Sequence, residues 1–293
     1  MTIFTNSIKT ALLLGLLMGL CMAIGSYWGT NGLIEGFIFG SFGALISYFF
    51  GAKMALASVG AQPVTRESAP ELYGITERLA QRAGIPMPKL YYAPIAAPNA
   101  FATGRNPSHS AVCVTEGLMS MLNAQELEGV IAHELSHIKH RDILTSTIAA
   151  VMAGAISGLA RMMFWFGTGN RDRDNPMGAI GAILMLILAP LAAVLIQMAI
   201  SRSREYSADA RGAQLAGGPE GLISALQKLE SGNHAIPTNI NPSERHMFIV
   251  MPMVPGVSTI SGLFRTHPRT EDRITALLKE MGKSQNPYAA AGA

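Results

Sequence analysis

Two histidines flank a glutamate in the segment His133-Glu134-Leu135-Ser136-His137, and these residue types at this spacing could perform metal-assisted hydrolysis. Residues four apart lie on one face of a helix, so the imidazoles of His133 and His137 could bind a single metal ion. Glu134 lies beside them and could take a proton from the water that such an ion activates. The alternative is a surface helix with incidental histidines, but the segment predicts a capped amphipathic helix, which favours the metal site.

A catalytic metal site needs a third protein ligand, a histidine or a carboxylate, and the position of Glu205 makes it the candidate. His137 lies six residues before an uncharged apolar run at 143–160, and Glu205 follows the last apolar residue of the run 175–201 by five residues. A helical hairpin formed by these runs would leave and return on one side of a membrane and bring the two side chains together. The sequence therefore predicts that Glu205 completes the ligand set.

Asp209 and His140 lie near this predicted site, and the sequence allows more than one role for each. Asp209 lies four residues after Glu205 on the same helical face, where it could orient a ligating histidine. The alternative for these two acids is a surface pair, in which like charges repel. His140 lies seven residues after His133 and could be a ligand, but on one straight helix it would reach a tetrahedral metal poorly. A polar residue near the membrane surface is the preferred interpretation of His140.

The composition indicates a membrane protein. Only 14% of the 293 residues are charged, against about 25% in soluble domains, and 49% are hydrophobic. The hydrophobic content excludes a disordered chain, two cysteines exclude a disulfide scaffold, and the scattered basic residues give no sign of nucleic-acid binding. Charges are absent from four runs near the length of about 20 residues that spans a bilayer: Thr10–Ile34, Gly36–Ala52, Ile143–Ala160 and Asn175–Ser201.

The distribution of lysine and arginine predicts the orientation of these runs. Residues 53–142 hold eight of them and residues after 201 hold ten, so both segments and the N-terminus are expected in the cytoplasm. The link 161–175 would lie outside, yet it holds three arginines. The second hairpin is therefore expected to be partly buried in protein or only partly inserted. A signal peptide remains an alternative for the first run, and a buried core hairpin for the last two.

Turn and capping signals predict the remaining elements. Capping boxes at Ser68-Ala-Pro-Glu71 and Asn123-Ala-Gln-Glu126 open two helices, the first of which ends at Gly84. Further elements are expected as follows: short strands at 89–94, 99–103 and 111–115, a helix through Ala216, a helix from Pro219 to about Gly232, an irregular segment at 233–265, and a last helix at 269–281. Cys113, in the third strand, is expected to be a buried small hydrophobe.

These elements predict an α-rich membrane protein with four hydrophobic helical segments. Residues 1–52 form an N-terminal transmembrane hairpin, and residues 143–200 form a second one. The segments 53–142 and 201–283 are too small to be separate enzymes, so they are expected to form one discontinuous domain. The tail 284–293 is expected to be disordered.

The sequence resembles the HtpX-type heat-shock membrane metalloproteases, which are relatives of the CAAX prenyl-protein endoproteases. The matching motifs appear in family order: Asn99-Ala-Phe-Ala-Thr-Gly104, His133-Glu-Leu-Ser-His137, Glu205-Tyr-Ser-Ala-Asp209, and Thr266-His-Pro268 with Arg273. The resemblance covers nearly the whole chain. It implies a zincin-like α+β catalytic domain on the cytoplasmic face of a bacterial inner membrane.

The resemblance also implies roles for individual residues. One zinc ion per chain would be held by His133, His137 and Glu205, with Glu134 as the general base. Asn99, Ala100, Phe101 and Ala102 would form an edge strand that pairs with the substrate backbone. His267 and Arg273 would stand near the transition state, although His267 could be a turn residue before Pro268 and Arg273 could pair with Asp272 or Glu271.

The implied function is proteolytic quality control of misfolded or damaged membrane proteins. The expected partners are therefore membrane-protein substrates and the lipid bilayer, with no nucleic acid and with the oligomeric state open. A CAAX-type processing protease is the alternative within enzymes, although four apolar runs are few for its enclosed chamber. A proteolytically silent metal-binding scaffold is a second alternative, and the intact Glu134 argues against it. A small transporter is disfavoured because the first, third and fourth runs lack ionisable residues.

Overall fold

The computed structural model describes residues 2–26, 29–149, 151–152, 202–235 and 268–280. Helices in these ranges are α1 (Thr2–Gly25), α2 (Gly29–Ser58), α3 (Pro70–Ala83), α4 (Glu116–Met121), α5 (Ala124–Lys139), α6 (Arg202–Ala216), α7 (Glu220–Ala235) and α8 (Thr270–Glu280). Strands are β1 (Gln62–Pro63), β2 (Lys89–Ala93), β3 (Ala100–Asn106) and β4 (His109–Thr115). Residues 142–149 are also helical. The predicted run 175–201, the link 161–175, most of the irregular segment 233–265, His267 and the tail 284–293 lie outside the described residues.

Helices α1 and α2 form a closely packed hairpin because α2 presents a row of small residues to α1. Gly32, Gly36, Gly40 and Ala44 recur at every fourth position and are buried. A Cβ atom on Gly40 would lie 2.9 Å from the Cα atom of Met18, so only glycine permits this approach. Such small-residue contacts are typical of helices that associate within membranes.

The opposite face of α2 is apolar and exposed. Helix α2 has 30 residues, and its most apolar 18-residue stretch has a mean hydropathy of 1.6. The helix is therefore long and apolar enough to cross a bilayer. In α1, the stretch Ser7–Ala23 is apolar but shorter. Large side chains cover the outer face of α2: Leu33, Ile34, Phe37, Ile38, Phe39, Phe42, Leu45, Phe49, Phe50 and Met54. Water would be an unfavourable environment for this surface, whereas lipid would not.

The predicted strands are present and form one mixed sheet in the order β1-β2-β4-β3. Strands β2 and β4 are parallel, whereas β3 and β4 are antiparallel with Ala102 opposite Val112. Among the described strands β3 has β4 as its single neighbour, so its other edge has no strand partner.

The two faces of the sheet pack against different helices. Val112 and Val114 of β4 join the core that contains Leu135 of α5. The alternate residue Cys113 points to the other face and packs with Leu56 at the end of α2. Burial raises the pKa of the Cys113 thiol to about 12, and its prediction as a buried small hydrophobe is confirmed.

One of the two predicted capping boxes is confirmed. Asn123 and Glu126 cap α5 reciprocally, and Glu126 also accepts hydrogen bonds from Ser224 and Lys228 of α7. This carboxylate therefore fixes the start of the helix that carries the metal motif.

The capping box predicted at Ser68 is wrong. The N-cap of α3 is Ala69, and Pro70 begins the helix without a side-chain cap. The Ser68 hydroxyl instead accepts a hydrogen bond from the Thr65 backbone N–H at 3.0 Å, which closes a turn before the helix. Gly84 ends α3 in the left-handed conformation with φ 66°, as predicted.

The beginning of the third apolar run is buried in protein. Helix α5 ends at Lys139, Arg141 in the turn that follows has a φ of 58° and redirects the chain, and a new helical segment covers residues 142–149. Its side chains Ile143 and Ile148 are buried. Thr145 contacts Thr10 of α1 at 3.1 Å between the two hydroxyls. The rest of the expected second hairpin, residues 153–200, lies outside the described residues.

Candidate active site

Helix α5 carries His133, Glu134 and His137. His133 and Glu134 are buried, and 14% of the His137 side chain is exposed. The Nε2 atoms of the two histidines lie 3.2 Å apart. The helical spacing therefore brings both imidazoles to one point, as the sequence predicts.

Glu205 of α6 meets this histidine pair. Its Oε2 atom lies 3.7 Å from Nε2 of His133, and its Oε1 atom lies 3.7 Å from Nε2 of His137. One donor atom from each of the three residues lies within 4.8 Å of the others. The structure thus brings together the three side chains that the sequence suggested as ligands.

Helix α6 can approach α5 this closely because of Gly212. A Cβ atom at this position would lie 2.9 Å from the backbone nitrogen of His133 and 3.0 Å from its Cα atom. Any larger residue would meet the α5 backbone, which cannot move aside as a flexible side chain can. Gly212 therefore sets the distance between Glu205 and the two histidines.

The donor set of this cluster fits a zinc ion. Ligand atoms that are about 2.0–2.1 Å from a tetrahedral zinc are about 3.4 Å apart, close to the separations of 3.2 and 3.7 Å. Burial alone would lower the pKa of His137, but Glu205 and Asp142 outweigh it and raise the pKa to about 9. The same negative field that favours a proton here also favours a bound cation.

Asp209 and Arg273 extend the cluster behind His133. The Nδ1 atom of His133 lies 2.9 Å from Oδ1 of Asp209, and Arg273 of α8 donates two hydrogen bonds to the Asp209 carboxylate. All three side chains are at least 98% buried. Burial would raise the pKa of Asp209, but Arg273 outweighs it and lowers the pKa to about 2. Asp209 therefore stays ionised, with its carboxylate at the Nδ1 side of the imidazole, which favours Nε2 as the metal-binding atom.

Arg273 thus pairs with Asp209, whereas the sequence suggested Asp272 or Glu271 as its partner. Its guanidinium is buried behind the ligand layer and bound to Asp209. Helix α8 reaches this position from the far end of the chain, so sequence spacing gives no sign of the contact.

Glu134 connects the histidine pair to strand β3. Burial raises the pKa of its carboxyl group, whereas His133, His137 and a hydrogen bond from the backbone N–H of Ala102 oppose the shift. The free edge of β3 therefore lies within hydrogen-bond reach of the candidate base.

The predicted substrate strand has its side chains packed away. Asn99, Ala100 and Phe101 are buried, and Phe101 packs with the end of α2. The backbone N–H of Asn99 donates to Thr115 at 2.8 Å. This edge can accordingly offer backbone groups, rather than selective side chains, to an extended peptide.

His140 is not one of the three clustered donors. It ends α5 as the C-cap residue, and its Nδ1 atom lies 2.8 Å from the carbonyl oxygen of Ser136. His267 lies outside the described residues.

The profile of the family described as Peptidase family M48 matches residues 66–281 of this chain. The chain belongs to peptidase family M48. It is 50% identical to a "Protease HtpX homolog" of Sulfurihydrogenibium sp. (strain YO3AOP1) over 96% of this chain and 98% of that protein. Proteins of the same description in Nostoc punctiforme and Thermococcus sibiricus are also 50% identical, over 94% and 93% of this chain and 96% and 95% of their own lengths.

These relatives confirm the resemblance to HtpX-type membrane metalloproteases. A solved structure titled "Crystal Structure of S. mikatae Ste24p" also matches this M48 peptidase, with a TM-score of 0.51 and 21% identity. The match covers 94% of the present chain and 66% of that chain, so this chain spans about two thirds of the Ste24p chain. At this identity the likeness is one of fold.

Asp142 and Arg204 of this M48 peptidase are buried charged residues beside the site that the sequence did not indicate. The Oδ2 atom of Asp142 lies 3.1 Å from Nδ1 of His137, and Arg204 lies 3.9 Å from the other carboxylate oxygen. Asp142 follows His137 by five residues, just past the turn at Arg141. The sequence does show an acid, Asp142, shortly after the predicted ligand His137. It gives no sign of the turn at Arg141 that directs this acid back to the histidine.

We expect the substitution Asp142→Asn to weaken zinc binding by the M48 peptidase by about 10- to 100-fold, because the carboxylate that orients His137 is lost. Competition with a chelator of known affinity measures this change. Glu128→Gln is the matched control, since Glu128 lies on α5 with His137 but pairs with Arg78 and Arg82 at 3.6 Å near the surface. Equal zinc affinity for both variants would show that Asp142 does not orient His137.

We expect Gly212→Ala to lower the free energy of unfolding by about 1–3 kcal/mol and to reduce zinc retention, because the new methyl group must separate α6 from α5. Thermal unfolding and metal analysis measure both effects. Gly74→Ala in α3 is the control, since its Cβ atom would meet nothing closer than a flexible Arg78 atom at 3.9 Å. Full zinc retention in Gly212→Ala would contradict the proposed spacing.

Proposed function

We propose that the chain is a zinc-dependent endopeptidase of the bacterial inner membrane that cleaves misfolded or damaged membrane proteins. One observation carries the proposal: donor atoms of His133, His137 and Glu205 lie within 4.8 Å of one another, beside the buried carboxylate of Glu134. A purely structural metal site would have no use for this carboxylate. One zinc ion per chain would occupy the cluster.

The substrate would bind as an added strand on the free edge of β3. Main-chain hydrogen bonds to Ala100 and Ala102 would hold any extended segment, and this suits an enzyme that acts on many damaged proteins. Asn99 and Phe101 would hold the strand in place through their packing and backbone contacts. The Ala102 N–H, which now reaches Glu134, would be available when the substrate arrives.

Glu134 would perform the proton transfers of peptide hydrolysis. When bound, zinc supplies a Lewis acid that acidifies water and polarises a carbonyl group. Glu134 would accept the proton of the attacking water and pass it to the leaving amine. Its raised pKa suits this exchange, because the carboxyl group can hold a proton between the two steps.

The remaining residues of the cluster would position these groups. Asp209 would orient His133, and Arg273 would act through Asp209 instead of contacting the substrate. His267 would donate a hydrogen bond to the developing oxyanion, as the family resemblance suggests.

The surroundings of the site support a role at the membrane. The exposed apolar face of α2 fits lipid, and the end of the same helix packs on the sheet that contains β3. The site would therefore lie close to the bilayer, with a zincin-like domain of residues 53–142 and 201–283 in the cytoplasm. Residues 1–52 and 143–200 would supply four hydrophobic segments that anchor it.

The first experiment is casein and membrane-protein cleavage by the wild type and by Glu134→Gln, both loaded with zinc. We expect the variant to bind zinc normally and to lose at least 100-fold in cleavage rate, on the order of a lost general base. Glu128→Gln on the same helix should cleave as the wild type does. Retained cleavage in Glu134→Gln would refute the role of Glu134.

A second experiment concerns the third ligand. We expect Glu205→Ala to lose zinc about as severely as His133→Ala when each is dialysed against a weak chelator, because each removes one of three protein ligands. His140→Ala should retain zinc, since His140 contacts the Ser136 carbonyl oxygen outside the cluster. Full zinc occupancy in Glu205→Ala together with zinc loss in His140→Ala would show that His140, and not Glu205, is the third ligand.

A further inference from the structure

The free edge of β3 alternates in the direction of its backbone groups. Residues two apart in a strand point their N–H groups the same way, so Ala100, Ala102 and Gly104 share one direction. The Gly104 N–H donates to the hydroxyl of Thr147 at 3.3 Å, away from β4. An extended peptide on this edge would need these same three backbone positions.

Thr147 is held firmly at the Gly104 end of this edge. Its hydroxyl donates to the carbonyl oxygen of Ile143 at 2.7 Å and lies 2.8 Å from the hydroxyl of Thr103. The side chain is 95% buried, and its hydroxyl uses one donor and two acceptor positions. A peptide could therefore reach the Gly104 N–H only by displacing a fully bonded group.

The helical segment that carries Thr147 is fixed at three other points. Asp142 contacts His137 at 3.1 Å, Thr145 contacts Thr10 of α1 at 3.1 Å, and Ile148 is completely buried. Strand β3 also becomes irregular here, because Gly104 has a φ of 139° and the register with β4 shifts after it. The irregularity follows Gly104, so the Gly104 N–H, now bound to Thr147, is the last one on this edge that an added strand could use.

We propose that Thr147 determines substrate specificity by ending backbone pairing on β3 at Ala102. This inference rests on the proposed peptidase function. An added strand is more commonly antiparallel to its neighbour, and its N-terminal part then runs toward Gly104. The protein accordingly binds the backbone on the N-terminal side of the cleavage site over a short stretch only, so longer substrates gain no affinity from that side.

A length series tests this with the zinc-loaded full chain in detergent. Fluorogenic peptides share one cleavage site and differ in the number of residues on its N-terminal side. For the wild type we expect kcat/KM to rise over the first residues and then to stay level within about twofold, because the Gly104 N–H offers no further hydrogen bond. A steady gain with each added residue would overturn the proposal, whether or not any variant folds.

The decisive variant is Thr147→Ala, which frees the Gly104 N–H and the space beside it. The readout is the ratio of kcat/KM for the longest peptide to that for the shortest. We expect this ratio to increase by about two- to tenfold, the effect of one gained backbone hydrogen bond.

Two variants serve as matched controls. Thr147→Ser keeps the hydroxyl and should keep the wild-type ratio. Thr103→Val removes the contact between the two threonines but leaves the Gly104 N–H bound to Thr147, and it should also keep the wild-type ratio. A raised ratio in both controls would mean that loss of packing, not the freed N–H, changes the selectivity.

The outcomes separate this inference from the proposed function. If Thr147→Ala lowers kcat/KM for all peptides in equal proportion, Thr147 is only structural and the inference is wrong. If wild-type protein with zinc cleaves none of the peptides or proteins, the proposed function fails and the inference fails with it.

Discussion

The burial of charge around the histidine pair of α5 constrains the packing of α6, α8 and the helical segment 142–149. Four carboxylates and two arginines of the described residues are buried together around the histidine pair: Glu134, Asp142, Glu205, Asp209, Arg204 and Arg273. Unpaired buried charges are strongly unfavourable, so the arrangement needs compensation. The two arginines offset half of the negative charge when all four carboxylates are ionised, and a divalent cation would balance the rest. The glycine contact at Gly212 and the buried cap at Glu126 serve this requirement by holding the helices at a fixed distance.

Local patterns predicted the parts of this site that lie within one helix. The spacing of His133 and His137 places them on one face of α5 whatever surrounds the helix. The capping box at Asn123 was also readable, because its two partners are three residues apart. Glu205 lies far away in sequence, and only its position relative to the apolar runs indicated that it returns to the histidines.

The parts that could not be predicted depend on chain direction and on distant contacts. Asp142 reaches His137 because Arg141 adopts a left-handed conformation, and arginine does not signal such a turn. Arg273 meets Asp209 through the docking of α8, a contact between residues 64 positions apart. The cap at Ser68 failed for a related reason, since its hydroxyl found an equally close partner in Thr65.

The distance along the chain between His133 and Glu205 has a consequence for biosynthesis. The ribosome makes Glu134 and both histidines before it makes the third and fourth apolar runs, and Glu205 follows only after them. A complete metal site rarely exists before its ligands are brought together by folding. In the proposed membrane peptidase, the growing chain would therefore lack hydrolytic capacity while these apolar runs enter the bilayer, and the enzyme would mature only after their insertion.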